Sequence, residues 1–144
     1  MKSVCVSRAG SYATAIVVAH LLVNIAHGLA HGELRVALAP FGSIFVIVVV
    51  LIFPLIAMAL IWTAAKRLGF FLLSLSMFGS LLFGLYYHFL AVSPDHIHSQ
   101  PSGGWGTTFV LTAYLLLITE AIGTYVGVRF LRIARRISSK AVKT

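Results

Sequence analysis

Four long apolar runs, separated by short polar stretches, dominate the chain. They cover about residues 11–30, 41–64, 68–92 and 107–130. A helix needs about 20 apolar residues to cross the hydrocarbon core of a bilayer, and each run reaches that length. A membrane barrel would instead show shorter segments of alternating polarity. The pattern therefore predicts an all-α, polytopic membrane protein, a single domain over residues 1–144 that forms a bundle of four transmembrane helices.

Two of the runs contain a feature that bears on the predicted helix: a proline in the second run and a possible cleavage pattern in the first. The second contains no charged residue, and Pro54 within it predicts a kink because proline lacks the N–H that a helix interior needs. The first ends in Gly28-Leu29-Ala30, a pattern similar to a signal-peptide cleavage site. His20 and Asn24 lie inside that run and are rare in signal peptides, so we expect the first run to be a retained helix.

Composition agrees with a membrane location. Hydrophobic residues make up 60% of the chain and charged residues 10%, whereas soluble domains are about one-quarter charged. The net charge of +8 does not indicate a nucleic-acid partner, because the basic residues flank the apolar runs instead of forming one basic surface. The lipid bilayer is the partner that this composition predicts.

The basic residues also predict the orientation of the helices. Arg35 is the only Lys or Arg at one end of the runs, and the others group at the opposite end: Lys2, Arg8, Lys66, Arg67, Arg129, Arg132, Arg135, Arg136, Lys140 and Lys143. Cytoplasmic segments carry the excess of Lys and Arg. Both termini and the basic tail, residues 129–144, are therefore predicted on the cytoplasmic side, with loops 30–40 and 93–106 outside. A bacterial inner membrane is the expected location.

Polar residues form a stripe along the first helix. His20, Asn24, His27 and His31 are spaced four, three and four residues apart, which places them on one helical face. Polar side chains are costly against lipid, so this stripe is predicted to face the bundle interior or a crevice.

The third helix carries a matching stripe that ends in a histidine. Ser76, Ser80, Gly84 and His88 recur every four residues, and small residues at this spacing allow close helix packing in lipid. Counted from the flanking basic residues, His27, His31 and His88 fall at nearly the same depth, close to the outer surface.

Further polar groups follow in the outer loops. His96 and His98 come just after Pro94, which ends the third helix, and Glu33 and Asp95 are the loop acids. Imidazole mixed with carboxylate suits transition metals such as copper, zinc or iron. The sequence thus predicts a metal site at the outer face of the first and third helices, with this ligand set: His27, His31, His88, His96, His98, Glu33 and Asp95.

A second polar group is predicted deeper in the bundle. Glu120 is the only acid within an apolar run, and it lies at a depth similar to that of His20. The two form a predicted intramembrane pair, with Asn24 beside it, that stabilises the bundle or carries a proton.

Three other functions fit the same sequence. A haem- or chlorophyll-type tetrapyrrole in a redox subunit would use His27 and His88 as axial ligands, since haem iron accepts histidines from facing helices. The other two alternatives are a non-catalytic subunit of a larger membrane complex and a small transporter that uses Glu120 and His20. A homo-oligomer or other membrane subunits are the expected protein partners. An enzyme would need an open coordination position and a substrate crevice; the sequence shows neither, and it leaves open whether the protein is catalytic.

Overall fold

Four long helices form the chain. The computed structural model describes the backbone of residues 2–141 and the side chains of residues 8–133. The described chain contains no strand, and its long helices are α1 (Lys2–Leu34), α2 (Pro40–Ile61), α3 (Lys66–Leu90) and α4 (Gly104–Ala141). Each contains a stretch long and apolar enough to cross a membrane. The predicted all-α architecture with four such helices is confirmed.

The two ends of the chain extend the helices beyond the apolar runs. α1 begins before the first run, and α4 continues through most of the basic tail. The side chains of Lys2, Arg135, Arg136, Lys140 and Lys143, which entered the predicted charge pattern, lie outside the described residues.

The middle of α2 departs from α-helical geometry. Residues Val46–Ile52 form a π-helix, with α-helix on either side. Pro54 has no N–H and cannot donate to the carbonyl of Val50, four residues earlier. That carbonyl instead accepts a hydrogen bond from the Nε2 of His20 on α1, at 3.2 Å. The proline that disturbs α2 therefore leaves a backbone acceptor that joins α2 to α1.

The end of α3 is also a π-helix, over Tyr86–Leu90. The Ala91 N–H bonds to the carbonyl of Tyr86 at 2.7 Å, and the chain then becomes extended. Short π-helical turns are frequent at functional sites because they shift side chains out of α-helical register. His88 lies inside this turn.

Helix α4 packs against both α1 and α3, while α2 packs mainly on α3. The α3–α4 contact is close: a Cβ on Gly127 would lie 2.9 Å from the backbone nitrogen of Ser74. α1 meets α2 along the Phe53–Ile61 half of α2. The apolar core occupies this half of the bundle, nearer the termini: Ala9, Ala13, Val17, Ala57, Ile61, Phe70, Leu73 and Met77.

The outside of the bundle is also apolar. Large side chains such as Leu22, Ile44, Leu111 and Ile118 are more than half exposed. Helices that are apolar on both their inward and outward faces are those of buried or membrane-spanning segments.

Candidate metal centre

Three histidines meet in the half of the bundle away from the termini. One ring nitrogen from each of His27, His31 and His88 lies within 4.8 Å of the other two. The Nε2 atoms of His27 and His31 are 3.2 Å apart. The rings of His27 and His88 meet edge to face, with centroids 4.9 Å apart. We call these residues the histidine triad, and the structure confirms that they come together as a group able to hold a metal ion.

The ring of His27 is oriented by a threonine on α4. Its Nδ1 lies 2.8 Å from the Oγ1 of Thr112. The Thr112 hydroxyl donates its own hydrogen to a backbone carbonyl, that of Thr108 at 2.7 Å. The Thr112 oxygen therefore accepts from His27, so the hydrogen of this neutral ring sits on Nδ1.

The other two rings are held in the same way by backbone carbonyls. The Nδ1 of His31 donates to the carbonyl of Val36 at 3.0 Å, and the Nδ1 of His88 donates to that of Asp95 at 2.9 Å. A carbonyl can only accept, so both hydrogens are assigned to Nδ1. In all three histidines Nδ1 is committed to an oxygen and Nε2 is left as the ligand atom.

This arrangement creates a local electrostatic problem. A neutral imidazole with its hydrogen on Nδ1 presents a lone pair at Nε2. The Nε2 atoms of His27 and His31 face each other at 3.2 Å, so two acceptors meet without a donor between them. A cation between them, either a proton or a metal ion, would relieve this repulsion.

The end of α1 explains how His31 finds its carbonyl. Arg35 adopts a left-handed conformation, with φ of 54°. The N–H of Val36 then bonds to the carbonyl of His31 at 3.0 Å, which is the Schellman helix ending. This turn folds the chain back and brings the Val36 carbonyl onto the His31 ring.

A short loop after α3 positions Asp95. The N–H of Asp95 donates to the Oγ of Ser93 at 3.2 Å, and the N–H of His96 donates to the Ser93 carbonyl at 3.1 Å. Asp95 is thereby turned back over the end of α3, so that its backbone carbonyl reaches His88 and its side chain enters the site.

The Asp95 carboxylate is buried and poorly satisfied. It is 5% exposed, and its Oδ1 lies 3.2 Å from the Nε2 of His31 and 3.5 Å from the Nδ1 of His88. These are ion-pair distances, yet neither carboxylate oxygen has a hydrogen bond of acceptable geometry from the described residues. A buried carboxylate without partners is costly. The site therefore has a second reason to attract a cation.

Phe109 forms the wall behind the triad. It is fully buried on α4, and its ring centroid lies 4.7 Å from that of His27, 4.8 Å from that of His31 and 5.4 Å from that of His88. One aromatic ring thus limits the movement of all three imidazoles.

Three other residues of the predicted ligand set lie outside the triad. His96 uses both ring nitrogens: Nε2 donates to the Phe89 carbonyl at 3.2 Å, and Nδ1 accepts from the His98 N–H at 3.1 Å. It caps the short 3-10 helix Ile97–Ser99. His98 and Glu33 are exposed.

The deeper polar group is also placed differently from the expected pair. His20 lies between helices, with Nε2 3.2 Å from the Val50 carbonyl and Nδ1 3.5 Å from the Oγ1 of Thr119, and the Asn24 amide is 3.0 Å from Nε2. Glu120 is 2% exposed, and its Oε2 has no partner. No hydrogen bond or ion pair links His20 to Glu120 among the described side chains.

A cavity of about 260 Å³ runs from the histidine triad to Glu120. All four helices contribute to it, together with the two segments that hold His31 and His88 in place. Besides the triad, its lining includes Asn24, Gly28, Val36, Leu38, Ser43, Val46, Val50, Leu51, Ser80, Phe83, Gly84, Asp95, Ala113, Leu116, Leu117 and Glu120.

Sequence reasoning missed the groups that orient the ligands. Thr112 is a hydroxyl residue inside an apolar helix, which is a usable signal for an interhelical hydrogen bond. The Val36 carbonyl gives no such signal, because it depends on how α1 ends. Phe109 is one of 10 phenylalanines, and nothing in the pattern marks it as different.

Comparisons with protein-family models, with curated proteins and with solved structures found no match to this chain.

Proposed function

We propose that this chain is an integral membrane protein that binds one transition-metal ion at the histidine triad, with Asp95 as the fourth ligand. The observation that carries the proposal is the shared orientation of the three rings. Each donates its Nδ1 hydrogen to an oxygen, which leaves Nε2 free to ligate, and one ring nitrogen from each lies within 4.8 Å of the other two. Histidines that ligate metals almost always donate their other ring N–H to an oxygen in this manner.

The distances support a tetrahedral ion. Ligand bonds of 2.0–2.1 Å at a tetrahedral metal hold two ligand atoms about 3.3–3.4 Å apart. The Nε2 of His31 lies 3.2 Å from both the Nε2 of His27 and the Oδ1 of Asp95, close to that spacing. The nitrogen of His88 lies up to 4.8 Å away, so its ring would have to shift slightly inward to ligate the same ion. Three imidazoles and one carboxylate favour zinc, with copper and iron as competitors.

The proposed role is binding and not catalysis. A set of four protein ligands fills the coordination sphere of a tetrahedral ion, whereas catalytic zinc keeps one position for water or substrate. A filled site suits a protein that holds, senses or passes on a metal ion.

The proposed location is a bacterial inner membrane, with both termini in the cytoplasm. The outward apolar faces of all four helices support insertion, because side chains such as Leu22 and Ile118 are largely exposed. Arg8 and Arg67 flank the end of the bundle opposite the triad, which by the positive-inside rule puts the metal site near the outer surface.

The geometry argues against a haem held between His27 and His88. Axial histidines bind the two faces of one macrocycle, which therefore separates them. The rings of His27 and His88 instead touch edge to face, with centroids 4.9 Å apart. The tetrapyrrole alternative is thus weaker than a single ion.

The metal content of protein purified in detergent tests the proposal. We expect about one equivalent of zinc or copper per chain and no intense absorption near 400 nm. Cobalt(II) substitution should give the visible bands of a four-coordinate site. His27→Ala and His88→Ala should each abolish stoichiometric binding, and Asp95→Asn should weaken it.

His98→Ala is the matched control, because His98 is exposed and outside the triad. It should bind metal as the unaltered chain does. If the unaltered protein holds no metal after equilibration with zinc or copper, and His27→Ala and His88→Ala fold normally, the proposal fails. The histidine triad then serves only to tie helices together, as expected for a structural subunit of a larger complex.

A further inference from the structure

The metal proposal does not use Glu120. This residue is 2% exposed, its Oε2 has no hydrogen-bond partner, and it lines the cavity. No Lys or Arg lines the cavity in the described part of the chain. An unpartnered buried carboxyl group is costly, and it is a polar anchor for a molecule that enters the cavity.

The cavity has two polar ends and apolar walls. Along α1 its lining runs from His31 to Asn24, a distance of about 10 Å at 1.5 Å per residue. Gly84 lies between the ends: a Cβ there would be 3.7 Å from the Oε2 of Glu120 and 3.9 Å from the Cδ2 of His88. Most of the remaining lining is aliphatic or aromatic, as in pockets for small apolar ligands.

The cavity ends at Glu120 and does not continue along the bundle. One turn beyond Glu120, a Cβ on Gly123 would lie 2.8 Å from the Cγ of Met77. One further turn on, a Cβ on Gly127 would lie 2.9 Å from the backbone nitrogen of Ser74. Helices α3 and α4 are therefore in close contact below the cavity, which closes it between these two helices.

Beside the pocket, α1 and α2 are in little contact, and we take this gap as its opening. These helices meet along the Phe53–Ile61 half of α2, and toward the other half their contact is slight. Gly28 lines the cavity there and is exposed, and a Cβ added to it would meet no atom within 4 Å. If the bundle spans a membrane as proposed above, this opening faces lipid.

We infer that the pocket binds a lipid-soluble alcohol, which enters between α1 and α2 and whose hydroxyl group bonds to Glu120. A hydroxyl both donates and accepts, so it satisfies Glu120 whether that carboxyl group is ionised or protonated. Its hydrocarbon chain contacts the apolar walls. A carboxylate ligand would repel an ionised Glu120, and a plain hydrocarbon would leave the Oε2 unpartnered.

Photolabelling tests this inference without any metal. Detergent-purified protein, treated with a chelator, is irradiated with an octanol that carries a photoreactive diazirine, and the labelled residues are located by mass spectrometry. We expect labels on cavity residues such as Val46, Val50 and Leu117. 1-Octanol should compete for labelling, whereas octane should not.

Variants of the pocket residues test which contacts contribute to binding of the alcohol. Glu120→Leu should weaken labelling about two- to tenfold, as expected for the loss of one hydrogen bond. Glu120→Gln retains hydrogen-bonding atoms and should keep most of the labelling. Gly84→Val fills the space between the polar ends and should block labelling. Ile118→Leu, on the exposed face of α4, is the control and should have no effect.

Labels confined to exposed side chains, or equal labelling of the Glu120→Leu and unaltered proteins, would overturn the inference. Metal content measured on the same variants separates the two proposals. Loss of alcohol binding with intact metal binding would implicate Glu120 alone. A protein that binds the alcohol but no metal would refute only the metal site.

Discussion

Thr112→Val is a direct test of how the triad is oriented. Valine has nearly the shape of threonine but cannot accept the hydrogen bond from the Nδ1 of His27, now 2.8 Å long and buried. In the variant the ring of His27 is free to move its hydrogen to Nε2, the atom that faces His31. Metal binding then has to reverse that change.

The size of the effect on metal affinity depends on whether the hydrogen bond from His27 to Thr112 is present in the apo protein, the metal-bound protein or both. The apo and metal-bound proteins both lose it, so the cost of the orphaned N–H largely cancels in the metal affinity. Two contributions to the difference in metal affinity remain. The hydrogen bond from His27 to Thr112 becomes stronger when the metal draws charge from the ring. Without Thr112, nothing fixes the ring hydrogen on Nδ1. Changes of such supporting groups weaken metal binding by about 10–100-fold, or about 1.4–2.7 kcal/mol.

A competition titration measures this affinity. Zinc is partitioned between the purified protein and a chelator of known affinity, at fixed pH. Thr112→Ser keeps the hydroxyl and should bind nearly as the unaltered chain does. Thr108→Val removes a hydroxyl from the same helix that bonds to the Gly104 carbonyl, so it controls for the loss of a threonine. Equal zinc affinity in the Thr112→Val and Thr108→Val proteins would refute the assigned role of Thr112.

Three stability changes are also expected, each measured as the free energy of unfolding in a detergent titration. His20→Phe should destabilise the protein by about 1–3 kcal/mol, because it leaves a buried carbonyl of α2 unpaired, while metal content stays unchanged. Gly127→Ala should cost roughly 1–3 kcal/mol, because the new Cβ meets the backbone of Ser74. Gly28→Ala meets no atom and should not destabilise the protein, because alanine also favours the helix. Arg35→Gly should stabilise by about 1 kcal/mol, because glycine adopts the left-handed conformation without strain.

Each of these has a clear contrary result. An unchanged unfolding free energy for His20→Phe would mean that the contact with α2 contributes nothing. Equal effects of Gly127→Ala and Gly28→Ala would contradict the close packing of α3 on α4. A destabilised Arg35→Gly protein would show that the arginine side chain matters more than its backbone conformation.

The helices were predictable because hydropathy depends only on local sequence. Length and apolar content suffice to identify four helices, and proline identifies the place where α2 changes. The type of change was not predictable. Pro54 indicates a kink, whereas the structure has a π-helix over Val46–Ile52, a uniformly apolar segment with no distinguishing pattern.

The centre of the candidate site was partly predictable. Helical spacing and depth correctly brought His27, His31 and His88 together, since helix geometry fixes where each residue lies along the bundle. The positions of the loop residues could not be predicted in this way, because helix geometry does not apply to a loop. His96 bonds to nearby backbone, a choice that depends on turn geometry and not on residue type.

The similar depths of His20 and Glu120 suggested a pair, but no hydrogen bond or ion pair joins their described side chains. Residue counting gives height along a helix, whereas contact also requires the right rotation about its axis. His20 reaches the carbonyl that Pro54 leaves free on α2, and Glu120 turns toward the cavity. A backbone acceptor exposed by a proline on another helix has no signature near His20 in the sequence.

The origin of the three histidines has a consequence for biogenesis. His27 and His31 belong to the first helix and His88 to the third, and these helices are connected mainly through α4 and through their imidazoles. During synthesis the ligand set is incomplete until the third helix and the loop after it have emerged. A bound metal ion would then link the first helix, which is made early, to the third helix and its following loop, which are made later. Molecules that hold the ion would be those in which these segments have come together.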